Sequence, residues 1–111
     1  MKRYSRANEK FTDAMHRLLV GEGDARQRLR SAYRPLRTLH PEELPEEMRE
    51  EFNDVLGEMT RYGPLRDPDG TPWRSAIDHT MGRIRNATAR RLIERLATLR
   101  RQLDTITGRR R

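Results

Sequence analysis

There is no cysteine in the 111 residues of this chain, so disulfide frameworks and thiolate-ligated zinc or iron–sulfur sites are excluded. Apolar residues are scarce as well. Leu, Ile, Val and Phe together number 20 of 111, under the roughly 20% below which a highly charged chain is expected to stay unfolded. Aromatics make up 5% of the chain, and the longest apolar run is Leu18-Leu19-Val20, far short of the ~18 residues of a membrane span. The basic start Met1-Lys2-Arg3-Tyr4 leads into Ser5-Arg6-Ala7-Asn8-Glu9-Lys10, not into the apolar stretch that an export signal needs. The expectation is a cytoplasmic protein without membrane association.

What is present points the other way from disorder. Ala, Glu, Lys, Leu and Arg supply 54 of the 111 residues, near the ~50% typical of long helices when apolar residues recur with helical period. They do recur. Ala7, Phe11, Ala14, Met15, Leu18 and Leu19 fall at helical spacing between Ser5, a candidate cap, and Gly21, and predict a helix over 6–20. Asp24, with Gln27 three residues on, forms a capping box for a second helix carrying Ala25, Leu29, Ala32, Tyr33, Leu36 and Leu39. Pro35 lacks a donor N–H and is expected to kink or break that helix near Arg34. A third helix is expected to begin at Pro45, with Glu46 and Glu47 in its first turn and Met48, Phe52, Val55, Leu56 and Met59 along one face. Tyr62-Gly63-Pro64 stops it, and Asp67-Pro68-Asp69-Gly70 has the chemistry of a turn.

From Thr71, the expected cap, a fourth stripe runs through Trp73, Ile77, Met81, Ile84, Thr88, Leu92, Leu96, Leu99, Leu103 and Ile106, with any break expected over 78–82. Trp73 reads as a core plug. No stretch alternates as a strand would. The fold class is therefore all-α: one small bundle of about four helices over residues 1–107, with a long amphipathic C-terminal helix and a frayed basic tail at 108–111. The residues expected in the core or in self-association are Phe11, Met15, Leu18, Leu29, Phe52, Leu56, Met59, Ile84, Leu92, Leu96, Leu99 and Leu103. Because the stripes are narrow, the row Leu92, Leu96, Leu99 and Leu103 is expected to be shared with a second copy, as in a homodimer, or with a protein partner.

The net charge of +7 is not spread evenly. Residues 1–40 hold ten basic and four acidic groups (+6), residues 41–70 three and ten (−7), and residues 71–111 eleven and three (+8). An acidic middle helix beside a basic one would neutralise part of this. On the last helix Arg83, Arg90 and Arg101 fall opposite the apolar stripe, a row suited to phosphates along a nucleic-acid backbone. The same row also reads as a solvated face, and no helix-turn-helix, zinc-finger or RNA-binding signature accompanies it.

Catalytic chemistry finds no support in the spacing. His16, His40 and His79 lie on separate segments with no metal-binding interval, and Asp13 and His16 read as a surface pair. The carboxylates Glu43, Glu47, Glu50, Glu51 and Asp54 form a solvated acidic face without the Glu-x-x-His pairs of a di-metal bundle. Asp67, Asp69, Thr71 and Asp78 resemble a calcium loop in spacing, but Pro72 stands where the loop needs glycine, and Asp78 where it needs glutamate. No enzyme, metal, cofactor or small-molecule substrate is expected. The leading expectation is a non-enzymatic helical interaction protein, adaptor or regulatory, self-associating through its last helix. The alternative is a nucleic-acid-associated protein that binds phosphate non-specifically through Arg83, Arg90 and Arg101.

Overall fold

The computed structural model describes residues 3–108. The chain is predominantly all-α, running α1 (Ser5–Val20), α2 (Ala25–Leu36), a 3-10 turn (Pro41–Glu43), α3 (Glu46–Met59), β1 (Leu65–Arg66), β2 (Pro72–Arg74), α4 (Ala76–Met81) and α5 (Asn86–Thr107). Its extents are 49 × 27 × 19 Å, and the shortest leaves room for about two helix layers at 8–10 Å between axes.

Local chemistry sets the α1–α2 hairpin. Gly21 donates its N–H to the Arg17 carbonyl at 2.9 Å, and a β-carbon there would lie 2.4 Å from that same oxygen, so only glycine closes α1 this tightly. Asp24 then caps α2 as a full capping box: its carboxylate accepts from the Gln27 N–H at 3.1 Å, and the Gln27 side chain accepts from the Asp24 N–H at 2.8 Å. Ser5 is not the cap of α1. Tyr4 takes that position with φ 62 and no side-chain cap, and its carbonyl accepts from the buried Asn8 amide instead.

Pro35 does not break α2 at Arg34, because it falls in the last turn, where a missing donor orphans only the Ser31 carbonyl. Arg17 donates to that carbonyl from Nη1 at 3.3 Å. The helix continues to Leu36, and both Leu36 and Leu39 are buried. α3 starts directly after Pro45, with Glu46 and Glu47 in its first turn.

Two expectations for the fourth segment are corrected. The chain after Gly63 is not helical from Thr71, and a strand pair does exist. Asp67-Pro68-Asp69-Gly70 turns as its chemistry requires, with Gly70 at φ 89 and its N–H on the Asp67 carbonyl at 2.8 Å. The Asp67 N–H bonds to the Thr71 carbonyl at 2.8 Å, folding the chain back so that Leu65 pairs with Arg74 and Arg66 with Pro72, antiparallel. The cap of the helix that follows is Ser75, whose Oγ accepts from the Asp78 N–H. Trp73 is consequently on the hairpin and 62% exposed, not in the core. A break is present but falls later than the expected 78–82: residues 78–81 belong to α4, which ends at Met81, and the chain leaves the helix over 82–85 before α5 begins at Asn86.

The core is continuous across all five helices. Phe11 of α1 meets Phe52 of α3 with ring centroids 6.0 Å apart and tilted, a geometry worth about 0.5–1.5 kcal/mol beyond area burial. Ala89, Leu92, Leu96, Leu99 and Leu103 of α5 are buried against this cluster, while Met15, Leu18 and Leu56 pack against it half-buried. α5 packs against α3, α2 and α1.

Candidate anion-binding groove

The solvent face of α2 carries Arg26, Arg30, Arg34 and, at its C-cap, Arg37. Steps of four, four and three residues keep them within one stripe of the helix, about 16 Å long at 1.5 Å per residue. The opposite face, with Leu29, Ala32 and Leu36, is buried. α4 packs across from this stripe, and between them lie two open cavities that share the Arg30–Asp78 ion pair in their walls. One, of about 450 Å³, is lined by Arg26, Arg30, Arg74 and Gly82 among others. The other, of about 310 Å³, continues along Arg30, Arg34, Arg37 and Ser75. Gln27, Arg30 and Asp78 line both.

Five guanidiniums thus face two carboxylates, Asp24 and Asp78. Arg30 is paired with Asp78 through Nε, and this hydrogen bond, helped by Ser75 and the charge of Arg74, holds the Asp78 carboxyl below its ordinary range. Arg26 donates to Asp24 at 3.2 Å and to the Ile84 carbonyl at 3.3 Å. The Asp24 carboxyl is lowered chiefly by the Gln27 N–H of the capping box. Arg34, Arg37 and Arg74 have no ion-pair partner among the described residues. Arg74 passes over Gly82, where a β-carbon would come within 2.8 Å of its Nη2, so the glycine that ends α4 also makes room for a guanidinium at the groove mouth.

The sequence-predicted residues are placed differently from expectation. Leu92, Leu96, Leu99 and Leu103 are 2%, 0%, 1% and 0% exposed, so they are covered by the chain's own helices and present no surface for association. Arg83, Arg90 and Arg101 are all exposed, but they are not one row on one helix. Arg83 precedes α5 and lies over the Tyr62 ring at 4.4 Å from its centroid, while Arg90 and Arg101 are on α5, the latter bonded to Thr98. Arg109, Arg110 and Arg111 lie outside the described residues; Gly108, at φ 74, is the C-cap of α5. Asp13 pairs with Arg17 and not with His16. The acidic helix does lie beside a basic one. Arg95 of α5 donates to both Glu51 oxygens at 2.8 and 2.9 Å and to Glu58 at 2.5 Å. These bonds lower the Glu51 carboxyl and raise the Arg95 guanidinium.

Among the described residues no three His, Cys, Asp or Glu side chains gather as a metal site, and no helix is long and apolar enough to cross a membrane. His79 holds the Gly63 carbonyl through Nδ1 at 2.9 Å and packs on Tyr62. The α2 arginines were missed in the sequence, although their spacing of four, four and three was itself a signal. The fold and groove define a small all-α protein with an arginine-lined cleft. In comparisons with known proteins, the chain matches no family model, no curated protein and no solved structure.

Proposed function

We propose that this chain is a non-enzymatic helical binding protein whose partner is the phosphate backbone of a nucleic acid, seated in the groove between α2 and α4. One observation carries the reading: four arginines stand on a single stripe of α2 with a fifth, Arg74, across the cleft, and only two carboxylates oppose them. Guanidiniums bind phosphate in bidentate fashion, and a row of them supplies affinity without sequence choice. Arg83, Arg90 and Arg101 do not line this groove. The test is an electrophoretic shift of an oligonucleotide at low salt. Binding that weakens steeply as salt rises supports the reading, and no shift at low salt removes it.

Self-association is a second reading with one observation in its favour. Leu19 and Val20, at the end of α1, are 78% and 58% exposed and offer an apolar contact in place of the leucines now buried in α5. Light scattering decides this: a dimer that Leu19→Lys dissociates supports it, and a monomer at high concentration opposes it.

A further inference from the structure

We infer that the groove selects single-stranded nucleic acid, with Trp73 as the platform on which a base stacks. The inference rests on the phosphate-binding reading and adds which form of nucleic acid is bound. Trp73 is the only tryptophan in a chain with 5% aromatics, and it is left 62% exposed. Its position is fixed. The Asp67–Thr71 and Gly70–Asp67 backbone bonds close the hairpin, and β2 pairs with β1 on either side of the tryptophan, at Pro72 and Arg74. The next residue, Arg74, lines the groove, so a phosphate contact and an exposed indole are one residue apart, about 3.8 Å between Cα atoms. The pairing is irregular here, with Trp73 the unpaired residue between Pro72 and Arg74, so the indole stands outside the ladder, next in sequence to a guanidinium of the groove.

A second aromatic lies beyond α4. Tyr62 is 37% exposed and carries Arg83 and Arg61 over its ring at 4.4 and 5.2 Å from the centroid. Guanidinium planes held on an aromatic ring are themselves surfaces on which unpaired bases stack. A positively charged groove with an exposed aromatic next in sequence to one of its arginines suits single strands, because every free base has a π face whereas a duplex hides its own. Electrostatics alone favours the opposite choice. A duplex carries the denser charge and releases more counterions per phosphate contact, so preference for the single strand requires stacking.

The experiment uses the full chain with two probes, a thymidine homopolymer of about 15 nucleotides and a mixed-sequence duplex of the same length. The emission of Trp73, the sole tryptophan, is followed during titration. The expected result is quenching by the homopolymer, tighter binding of it than of the duplex at equal salt, and a loss of about fivefold to about 150-fold in homopolymer affinity for Trp73→Ala. Trp73→Phe should recover most of the loss, and duplex affinity should be unchanged in both variants. Because the side chain is exposed, these substitutions leave the core intact. Binding of both probes with the duplex favoured, or with Trp73→Ala without effect, overturns the inference and leaves the groove standing. Binding of neither probe overturns the groove reading, and this inference falls with it.

Discussion

Arg34→Gln combined with Arg37→Gln tests the groove at the two guanidiniums that do least for the fold. Both side chains are exposed and without an acidic partner among the described residues, and glutamine has nearly the helix propensity of arginine. The double variant is expected to melt at the parent's temperature. The groove presents five guanidiniums, of which Arg26 and Arg30 already hold a carboxylate, so the phosphate contacts number between about three and about five. At a slope of about −0.7 per contact on a single strand, log affinity should fall against log salt with a slope of about −2.1 to about −3.5. Raising salt from about 50 to about 200 mM then weakens binding by about 20-fold to about 130-fold. Removing two contacts should make the slope shallower by about 1.4. Fluorescence anisotropy of a labelled oligonucleotide across that salt range measures both slopes, with circular dichroism melts as the control for folding. A parent slope near zero, or a folded variant that keeps the parent slope, refutes the assignment of these arginines to phosphate.

Leu96→Ala, at a fully buried position of α5, should cost about 2–5 kcal/mol in chemical denaturation; a variant of unchanged stability and altered mass in light scattering would place the leucine in an interface instead. Arg95→Met removes the clamp on Glu51 and Glu58, whose side chains are 42% and 47% accessible, so solvent screening limits the loss to about 1 kcal/mol; a loss of several kcal/mol in urea titrations would contradict that. The Asp78 and Glu51 carboxyls are lowered by Arg30 and Arg95, and Glu43 by the His40 N–H with help from Arg6. A lowered folded pKa stabilises above the unfolded value and is lost as pH falls through the folded one. Melting temperature should thus be level near neutral pH and drop below about pH 4, and a rise on acidification would refute the pairings.

Where one local interaction decides an element, the sequence was sufficient to read it. Asp24 and Gln27 made the capping box expected of them, and Asp67-Pro68-Asp69-Gly70 turned as its proline and glycine require. Apolar periodicity placed the buried faces of α1, α2, α3 and α5 because burial follows the stripe. It misplaced Trp73 for the same reason: a residue four positions before Ile77 is in phase with the helix whether or not the helix reaches it. Here the turn at 67–70 had already committed Pro72–Arg74 to pairing backward, and a three-residue strand is too short to show alternation. A kink or break is the expectation at Pro35 because sequence alone shows neither that the helix ends one residue later nor that Arg17, from another helix, satisfies the carbonyl it orphans. The groove needed two elements to be brought together. The arginine stripe of α2 was present as spacing, but Arg74 joined it only once the hairpin folded and Gly82 let the side chain cross.

Segregated charge acquires a direction through this packing. α5 packs against both the acidic helix α3 and the arginine-bearing α2. Among the described residues Arg95 is the one cation ion-paired to α3, taking Glu51 and Glu58, while Glu46, Glu47, Glu50 and Asp54 are exposed. The +6 of residues 1–40 and the −7 of residues 41–70 are joined by one ion pair among the described residues, Arg6 with Glu43. The unpaired carboxylates of α3 and arginines of the groove are left to solvent, where each acts on an approaching ion over about one Debye length, about 8 Å at physiological salt. If the groove binds phosphate as proposed, an approaching polyanion would be drawn to its arginines and repelled by α3, so the acidic segment that reduces the net charge would also orient the encounter. On that proposal, a chain with few apolar residues to spend on an interface would draw both affinity and orientation from the placement of arginine and glutamate around a core that its own helices already close.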